Sequence, residues 1–238
     1  MEAIKNNKFQ KNAFFAGLSY LALIITGLYA LMYAMPQIKV EGDIAKTIIN
    51  INNNPFLFRI GIVSMLVMNI VSILLVIYLY RLLSNINKTT ALSMLIIMLF
   101  GACISTLNET NHFAMIIINN MDSFSVEESQ NITNLFSAIQ KHGSYISVIF
   151  WGLWLFPLSM LIFKLSTPFS KFIAIMLIIG GIGYVLDSIF LFLYPNMKVP
   201  TLSDYTSYGE ILFMIWLLVK SKSIGKLVEK AIKLQKKV

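Results

Sequence analysis

Six long apolar runs, separated by short polar stretches, constrain the fold of this 238-residue chain more than any other feature. A helix needs about 20 mostly apolar residues to cross a hydrocarbon core of about 30 Å. Hydrophobic residues make up 57% of the chain and charged residues only 13%, whereas a soluble domain carries about 25% charged residues. The sequence therefore predicts an all-α, polytopic integral membrane protein. We expect a membrane domain at residues 1–224, with transmembrane helices at 12–35, 59–80, 91–118, 145–163, 169–194 and 205–224.

The distribution of basic residues predicts the orientation of these spans. Fourteen of the 19 Lys and Arg residues lie before the first run, in the second and fourth connections or at the ends of the spans that border them, or at and beyond the end of the last run. Cytoplasmic loops carry an excess of Lys and Arg, so both termini are expected in the cytoplasm. The first run is longer than the apolar core of a signal peptide, about 7–15 residues, and is expected to be retained. The predicted location is the cytoplasmic (inner) membrane.

Two shorter segments have an amphipathic pattern and fall on the extracytoplasmic side. The first, residues 43–54, places isoleucines on one face and begins with Asp43, a residue type that caps helix N-termini. The second, residues 125–143, begins with Ser125-Val126-Glu127-Glu128, which has the form of a capping box. We expect both to lie in the outer interface, the second running into His142-Gly143 and then the fourth span.

The last segment, residues 225–238, predicts a basic amphipathic helix in the cytoplasm. Its apolar residues fall on one side, and its charge comes from Lys226, Lys230, Lys233, Lys236 and Lys237. Such a helix is expected to lie on anionic lipid headgroups. Because the basic residues flank apolar runs, the net charge of +8 does not predict nucleic-acid binding. The sequence makes no prediction about oligomeric state.

Two further features have packing interpretations. The single cysteine, Cys103, excludes an intramolecular disulfide framework and is interpreted as a small residue inside a span. The Gly180-Gly181-Ile182-Gly183 cluster lacks the Lys-Ser/Thr ending and the preceding strand of a phosphate loop. It therefore predicts a close approach between helices.

Ionisable residues inside or at the ends of the spans form the candidate site. Glu109 and His112 are three residues apart and share a helix face. At the α-helical rise, Glu109 lies about 27 Å from Ala91 in the third span and Asp187 about 22 Å from Phe172 in the fifth, both in the outer half. Charged groups in a membrane are costly unless they have partners, so we expect these side chains to converge. The candidates are Arg59, Glu109, His112, His142, Tyr184, Asp187 and Glu210.

Three interpretations of this set are open. The residues form a buried ion network that fixes helix register, with a pair between Arg59 and Asp187 as the first candidate. Alternatively, they line an outward-open cavity for a small molecule, an ion or a lipid headgroup. In the third interpretation zinc activates water for hydrolysis, because two imidazoles with carboxylates suit this metal and Glu-x-x-His occurs in helical metal sites. Its ligands would be Glu109, His112, His142 and Asp187.

Binding or passage of a small ligand or lipid at an outer-leaflet cavity is the preferred function. A metal-dependent intramembrane hydrolase and a non-catalytic membrane subunit are the alternatives. The sequence does not decide whether the protein is an enzyme. Apart from zinc in the hydrolase alternative, no cofactor is expected.

Several short motifs share their order and spacing with a known family. They are Gly42-Asp43-x-x-x-Thr47-x-x-Asn50-Ile51, Leu57-Phe58-Arg59, His142, Phe150-x-Gly152, Pro168, Gly183-Tyr184-x-x-Asp187-Ser188 and Pro195. Over about Ala13 to Pro195 the chain resembles a bacterial membrane family known as domain of unknown function 4386. The resemblance implies a bacterial multi-pass membrane protein but no activity. Asp43, Thr47 and Asn50 would form an outer-cap motif, whereas Glu109 and His112 fall on no motif.

Overall fold

All regular secondary structure in the computed structural model is helical, over the residues that it describes: 2–121, 123–195 and 201–235. The predicted tail residues 236–238 lie outside the described residues. The helices are α1 (Glu2–Leu28), a π-helical turn (Tyr29–Ala34), α2 (Met35–Ile38), α3 (Ile44–Asn53), α4 (Pro55–Leu83), α5 (Lys88–Asn108), α6 (Thr110–Asn119), α7 (Val126–Leu153), α8 (Leu155–Phe163), α9 (Pro168–Leu193), α10 (Ser203–Thr206), α11 (Tyr208–Val219) and α12 (Ser221–Gln235).

Several of these helices indicate a multi-pass membrane protein, as the composition predicts. The stretches long and apolar enough to cross a membrane are Asn7–Ile38, Pro55–Leu83, Lys88–Asn119, Val126–Phe163 and Pro168–Leu193. The predicted sixth span, residues 205–224, has a different structure. It is divided at Lys220 between α11, which has only 12 residues, and α12. Two serines follow Lys220 within three residues, and serine side chains compete with helical backbone hydrogen bonds.

The chain forms two compact units. The first unit comprises Met1–Leu21, Val71–Gly101 and Tyr145–Val238. The second unit comprises Ala22–Ile70 and Ala102–Ser144. We describe the contacts within each unit separately.

Helix caps at both amphipathic segments agree with the sequence. Asp43 Oδ1 accepts the N–H of Lys46 at 2.9 Å, so Asp43 caps α3 as predicted. Gly42, just before it, has a φ of +78°, which favours glycine. At the start of α7 the Ser125 N–H donates to Glu128 Oε2 at 2.8 Å, and the Glu128 N–H donates to Ser125 Oγ at 3.2 Å. The predicted capping box is therefore confirmed.

The second amphipathic segment runs through His142-Gly143 into the fourth predicted span as one helix, because α7 continues to Leu153. Gly143 lies against the side chain of Asn108, in space that a Cβ would need. This glycine therefore permits close packing and does not interrupt the helix. The chain leaves the α7 helix only at Trp154, because Pro157 has no N–H and its ring crowds the carbonyl of Leu153.

A π-helical turn separates α1 from α2. Pro36 crowds the carbonyl of Met32, four residues earlier, so the regular α-helical pattern cannot continue there. The wider turn holds one more residue than an α-helical turn. Ala30 and Ala34 in this turn, and Ile38 after it, are fully buried.

The core of the second unit is built around α2, α3, α4 and α6. Its buried members are Ala30, Met35, Ile38, Ile51, Phe58, Ile62, Met65, Met115 and Ile116, with Leu57, Leu66 and Phe136 packed against them. Ile51 reaches this core from the apolar face of α3 and is only 4% exposed. The amphipathic pattern of α3 thus has a protein core as its partner.

In the first unit, glycines allow two helix backbones to touch. A Cβ added to Gly152 of α7 would lie 2.7 Å from the carbonyl oxygen of Gly181 of α9. A Cβ on Gly181 would lie 2.8 Å from the carbonyl oxygen of Gly152. Because each added Cβ would meet a backbone oxygen, a change of side-chain rotamer could not relieve either clash. The packing interpretation of the α9 glycine cluster is confirmed.

Replacing Gly152 by alanine should therefore destabilise the protein. We expect Gly152→Ala to cost about 1–3 kcal/mol through overpacking and to lower the thermal unfolding temperature in detergent. Gly27→Ala is the matched control, since its added Cβ would meet only the flexible thioether of Met68, at 3.1 Å. Equal losses in the two variants would contradict the backbone contact.

Candidate functional site

Glu210 is held by two tyrosines in the first unit. It lies in the first turn of α11, where the helix N-terminus favours a carboxylate. The Tyr184 hydroxyl donates to Glu210 Oε1 at 2.8 Å, and the Tyr20 hydroxyl donates to Oε2. Trp154 and Phe213 pack near the ring of Tyr20, with centroids 6.3 and 6.2 Å away. We call Tyr20, Tyr184 and Glu210 the tyrosine–glutamate cluster. Two uncharged hydroxyl groups therefore hold the Glu210 carboxylate.

Asp187, one turn after Tyr184 on α9, accepts hydrogen bonds from two backbone N–H groups. Its Oδ1 accepts the N–H of Leu202 at 2.7 Å, and its Oδ2 accepts the N–H of Ser203 at 2.8 Å. The next residue, Ser188, donates to the carbonyl of Tyr145 at 3.0 Å. The motif residues of α9 thus fix the segment before α11 and the middle of α7.

The structure gives Asp187 a different set of partners from the predicted ion pair with Arg59. Both carboxylate oxygens accept N–H groups, and hydrogen bonds to an ionised acceptor are strong enough to stabilise a buried carboxylate. Arg59 belongs to the second unit, is exposed, and forms no ion pair with any carboxylate of the described residues.

Glu109 and His112 meet in the second unit, as their three-residue spacing predicts. His112 Nδ1 lies 2.8 Å from Glu109 Oε2. His112 is fully buried and Glu109 is 3% exposed. The edge of the His112 ring faces Phe58, with centroids 5.6 Å apart and the rings at 88°. His112 Nε2 is buried and has no hydrogen-bond partner within the described part of the chain.

Local side-chain competition interrupts the helix at Glu109, between α5 and α6. The hydroxyl of Thr110 donates to the carbonyl of Leu107 at 2.6 Å, and the amide of Asn111 donates to the carbonyl of Asn108 at 3.0 Å. Such bonds compete with the backbone ladder. They give the third apolar stretch a one-residue break at its acidic position.

Lys39, which the sequence analysis overlooked, is also part of this site. Its Nζ donates to Gln140 Oε1 at 2.6 Å, and Asn108 Nδ2 donates to the carbonyl of Gln140 at 2.8 Å. Burial lowers the pKa of Lys39 from 10.5 to about 8; the nearby Glu109 opposes this shift, and Lys141 adds to it. We call Lys39, Glu109, His112 and Gln140 the histidine–glutamate cluster. The sequence signal for this residue was a lysine four positions after the end of the first apolar run, residues 12–35.

The four predicted zinc ligands are not brought together. His142 is exposed, and its Nδ1 lies 2.8 Å from the carbonyl oxygen of Ala138. Within residues 2–121, 123–195 and 201–235, no group of three or more His, Cys, Asp or Glu residues is placed to hold a metal ion.

Thr47 and Asn50 of the predicted outer-cap motif hold the turn between α2 and α3. Thr47 Oγ1 accepts the N–H of Val40 at 2.9 Å. Asn50 Nδ2 donates to the carbonyl of Ile38 at 3.1 Å. Together with the cap by Asp43, these bonds explain the motif by folding alone.

A cavity of about 370 Å³ opens in the second unit beside the N-terminus of α4. It combines a guanidinium, three side-chain amides and an apolar wall. Its lining residues are Ile51, Asn52, Pro55, Phe58, Arg59, Ile116, Asn119 and Asn120. We call this space the Arg59 cavity. Phe58 lines it and also contacts His112.

Comparison with known proteins places the chain in a family. Residues 15–221 match the family described as Domain of unknown function (DUF4386). The chain belongs to the DUF4386 family. An uncharacterized protein of Archaeoglobus fulgidus is 30% identical to it over 83 residues, which are 35% of this chain and 49% of that relative. This chain thus spans about half the length of the curated relative, and no solved structure matches it.

The family match agrees with the predicted resemblance, and it extends to residue 221, beyond the motifs that carried the prediction. The relative is archaeal, so the comparison does not establish the predicted bacterial source.

In this DUF4386 protein, Asp187→Asn should destabilise the fold, because an amide places a donor against two backbone N–H groups. We expect a loss of about 1–3 kcal/mol in thermal unfolding. Asp204→Asn, at an exposed position of α10, is the control. Arg59→Gln should change stability by less than about 0.5 kcal/mol, and the double variant should lose the sum. A double variant that loses clearly less would support the direct pair.

Lys39 should make stability depend on pH. Its pKa is about 8 in the folded state and 10.5 ordinarily, so between these values the unfolded chain binds more protons. Stability contributed by this group therefore rises from about pH 8 to 10.5. Measured against Lys39→Gln in detergent, the wild type should gain in unfolding temperature across this window and show a constant difference below it. Parallel curves throughout would exclude this role.

Proposed function

We propose that this protein binds a small polar or amphiphilic ligand in the Arg59 cavity. The observation that carries the proposal is a cationic side chain, free of carboxylate partners in the described residues, on the wall of a cavity of about 370 Å³. Ligand pockets are typically about 300–1,000 Å³, apolar in part, with a few polar groups that orient the ligand. The Arg59 cavity fits this description.

The amide side chains of the cavity add support. Asn119 lines it, and its Nδ2 is buried without a hydrogen-bond partner among the described residues. An unsatisfied buried donor costs about 1–3 kcal/mol, so a ligand acceptor at this position would be favoured. Phe58, Ile51 and Ile116 would contact an apolar portion of the ligand.

We further propose six crossings with both termini in the cytoplasm of a bacterial cell. The basic residues before the first apolar run and after the last favour both ends on one side of the membrane, and therefore an even number of crossings. Five stretches meet the length and composition of a span. Residues 203–219, roughly 25 Å at the helical rise, would supply the sixth. In this topology the Arg59 cavity opens in the outer leaflet.

The basic tail is proposed to contact anionic lipid through charge alone. In α12 the apolar side that was expected to enter the membrane is packed within the protein: Ile224 and Val228 are fully buried and Ala231 is 5% exposed. Lys222, Lys226 and Lys230 remain exposed. Each lysine near an anionic surface contributes about 1 kcal/mol, weakened by salt.

Filling the Arg59 cavity should abolish ligand binding. Asn52 is exposed and lines the cavity, whereas Asn53 is exposed and does not. Native mass spectrometry of protein purified in mild detergent should show a bound small molecule or lipid on the wild type. Asn52→Trp should lose this added mass, because an indole occupies the space.

Asn53→Trp is the matched control and should keep the added mass. Both variants should unfold within about 0.5 kcal/mol of the wild type, since both positions are exposed. An added mass that both variants keep, or that both lose, would refute binding in this cavity.

A further inference from the structure

The polar and charged groups around the Arg59 cavity indicate the charge of the ligand. Three backbone carbonyls at the end of α6 are already occupied: that of Ile116 accepts from Asn120 Nδ2 at 2.7 Å, that of Ile117 from the Asn120 N–H at 3.1 Å, and that of Ile118 from the Met121 N–H at 3.2 Å. No carboxylate is among the residues described as lining the cavity.

Donors, in contrast, remain available. The guanidinium of Arg59 has five N–H groups in a planar fork, and Asn119 Nδ2 has no partner in the described part of the chain. Pro55 and Phe58 of the lining belong to the first turn of α4, a helix of 29 residues. Pro55 has no N–H and the Phe58 N–H donates to the carbonyl of Asn54 at 3.1 Å, so α4 contributes through its dipole, which favours an anion at this end.

These observations converge on one ligand chemistry. Arg recognises phosphate through two parallel charge-assisted hydrogen bonds, and the dipole of a helix favours an anion at its N-terminus. A phosphate group offers several acceptor oxygens to donors that approach from different elements, here α4 and α6. The apolar wall, formed by Ile51, Phe58 and Ile116, suits the remainder of an ester.

We infer that the ligand of the Arg59 cavity carries a phosphate group, either as a phospholipid headgroup or as a free phosphate compound. This inference rests on the proposed function and specifies its ligand class. Arg59 and Asn119 hold the phosphate oxygens, and the N-terminus of α4 contributes its positive end. Arg59 is therefore a binding residue whose charge and fork geometry are both required.

The test uses ³¹P NMR line widths with the full-length protein in a phosphorus-free detergent. The probes are inorganic phosphate and dihexanoyl phosphatidylglycerol below its micelle concentration, at equal ionic strength. We expect the wild type to broaden at least one probe. Arg59→Gln should weaken binding about tenfold or more, as for loss of a charged hydrogen bond, and Arg59→Lys should have an intermediate effect. Broadening of phosphate indicates a free compound, and broadening of the lipid alone indicates a headgroup.

Lys46→Gln is the matched control, since Lys46 is exposed on α3, belongs to the same unit and does not line the cavity. It should bind as the wild type does. The inference is overturned if neither probe is broadened, if Arg59→Gln binds like the wild type, if Lys46→Gln loses as much, or if acetate displaces the probe at equal concentration. An added mass that Asn52→Trp removes, without any phosphorus signal, would refute the phosphate and leave the proposed function standing.

Discussion

The need to satisfy polar groups inside an apolar environment determines most of this structure. Where no water is available, each buried carboxylate must find donors in the protein. Glu210 finds two phenols, Asp187 finds two backbone N–H groups, and Glu109 finds an imidazole. None of the three forms an ion pair with Lys or Arg in the described part of the chain. The helices are therefore joined by short, directional bonds, while Arg59 stays available for another partner.

Features encoded by neighbouring residues could be predicted from the sequence. The cap by Asp43, the Ser125–Glu128 capping box and the Glu109–His112 contact each depend on residues at most three positions apart. The apolar runs gave the membrane class for the same reason, since hydropathy is a local property. The continuity of α7 through Gly143 could not be predicted, because that glycine is explained only by Asn108 packed against it.

The candidate site was predicted less well, because its partners are distant in sequence. Tyr20 and Glu210 are 190 positions apart, and Lys39 and Gln140 are 101 apart. A tyrosine inside an apolar run has no pattern that distinguishes a hydrogen-bond donor from a packing residue. Equal depth was also too weak a criterion: it grouped Asp187 with Arg59, although the partners of Asp187 are the N–H groups of Leu202 and Ser203.

The π-helical turn at Tyr29–Ala34 determines the direction in which the side chains of α2, which follows it, point around the helix axis. One additional residue turns the succeeding side chains by about 100° relative to a continuous α-helix. Ile38 then faces the core of the second unit, and Lys39 at the end of α2 reaches Gln140. Deleting one residue from this turn would shorten the helix by only about 1.5 Å, but it would turn a different face of α2 toward the neighbouring helices. The turn thus rotates the helical register so that Ile38 and Lys39 reach the contacts described above.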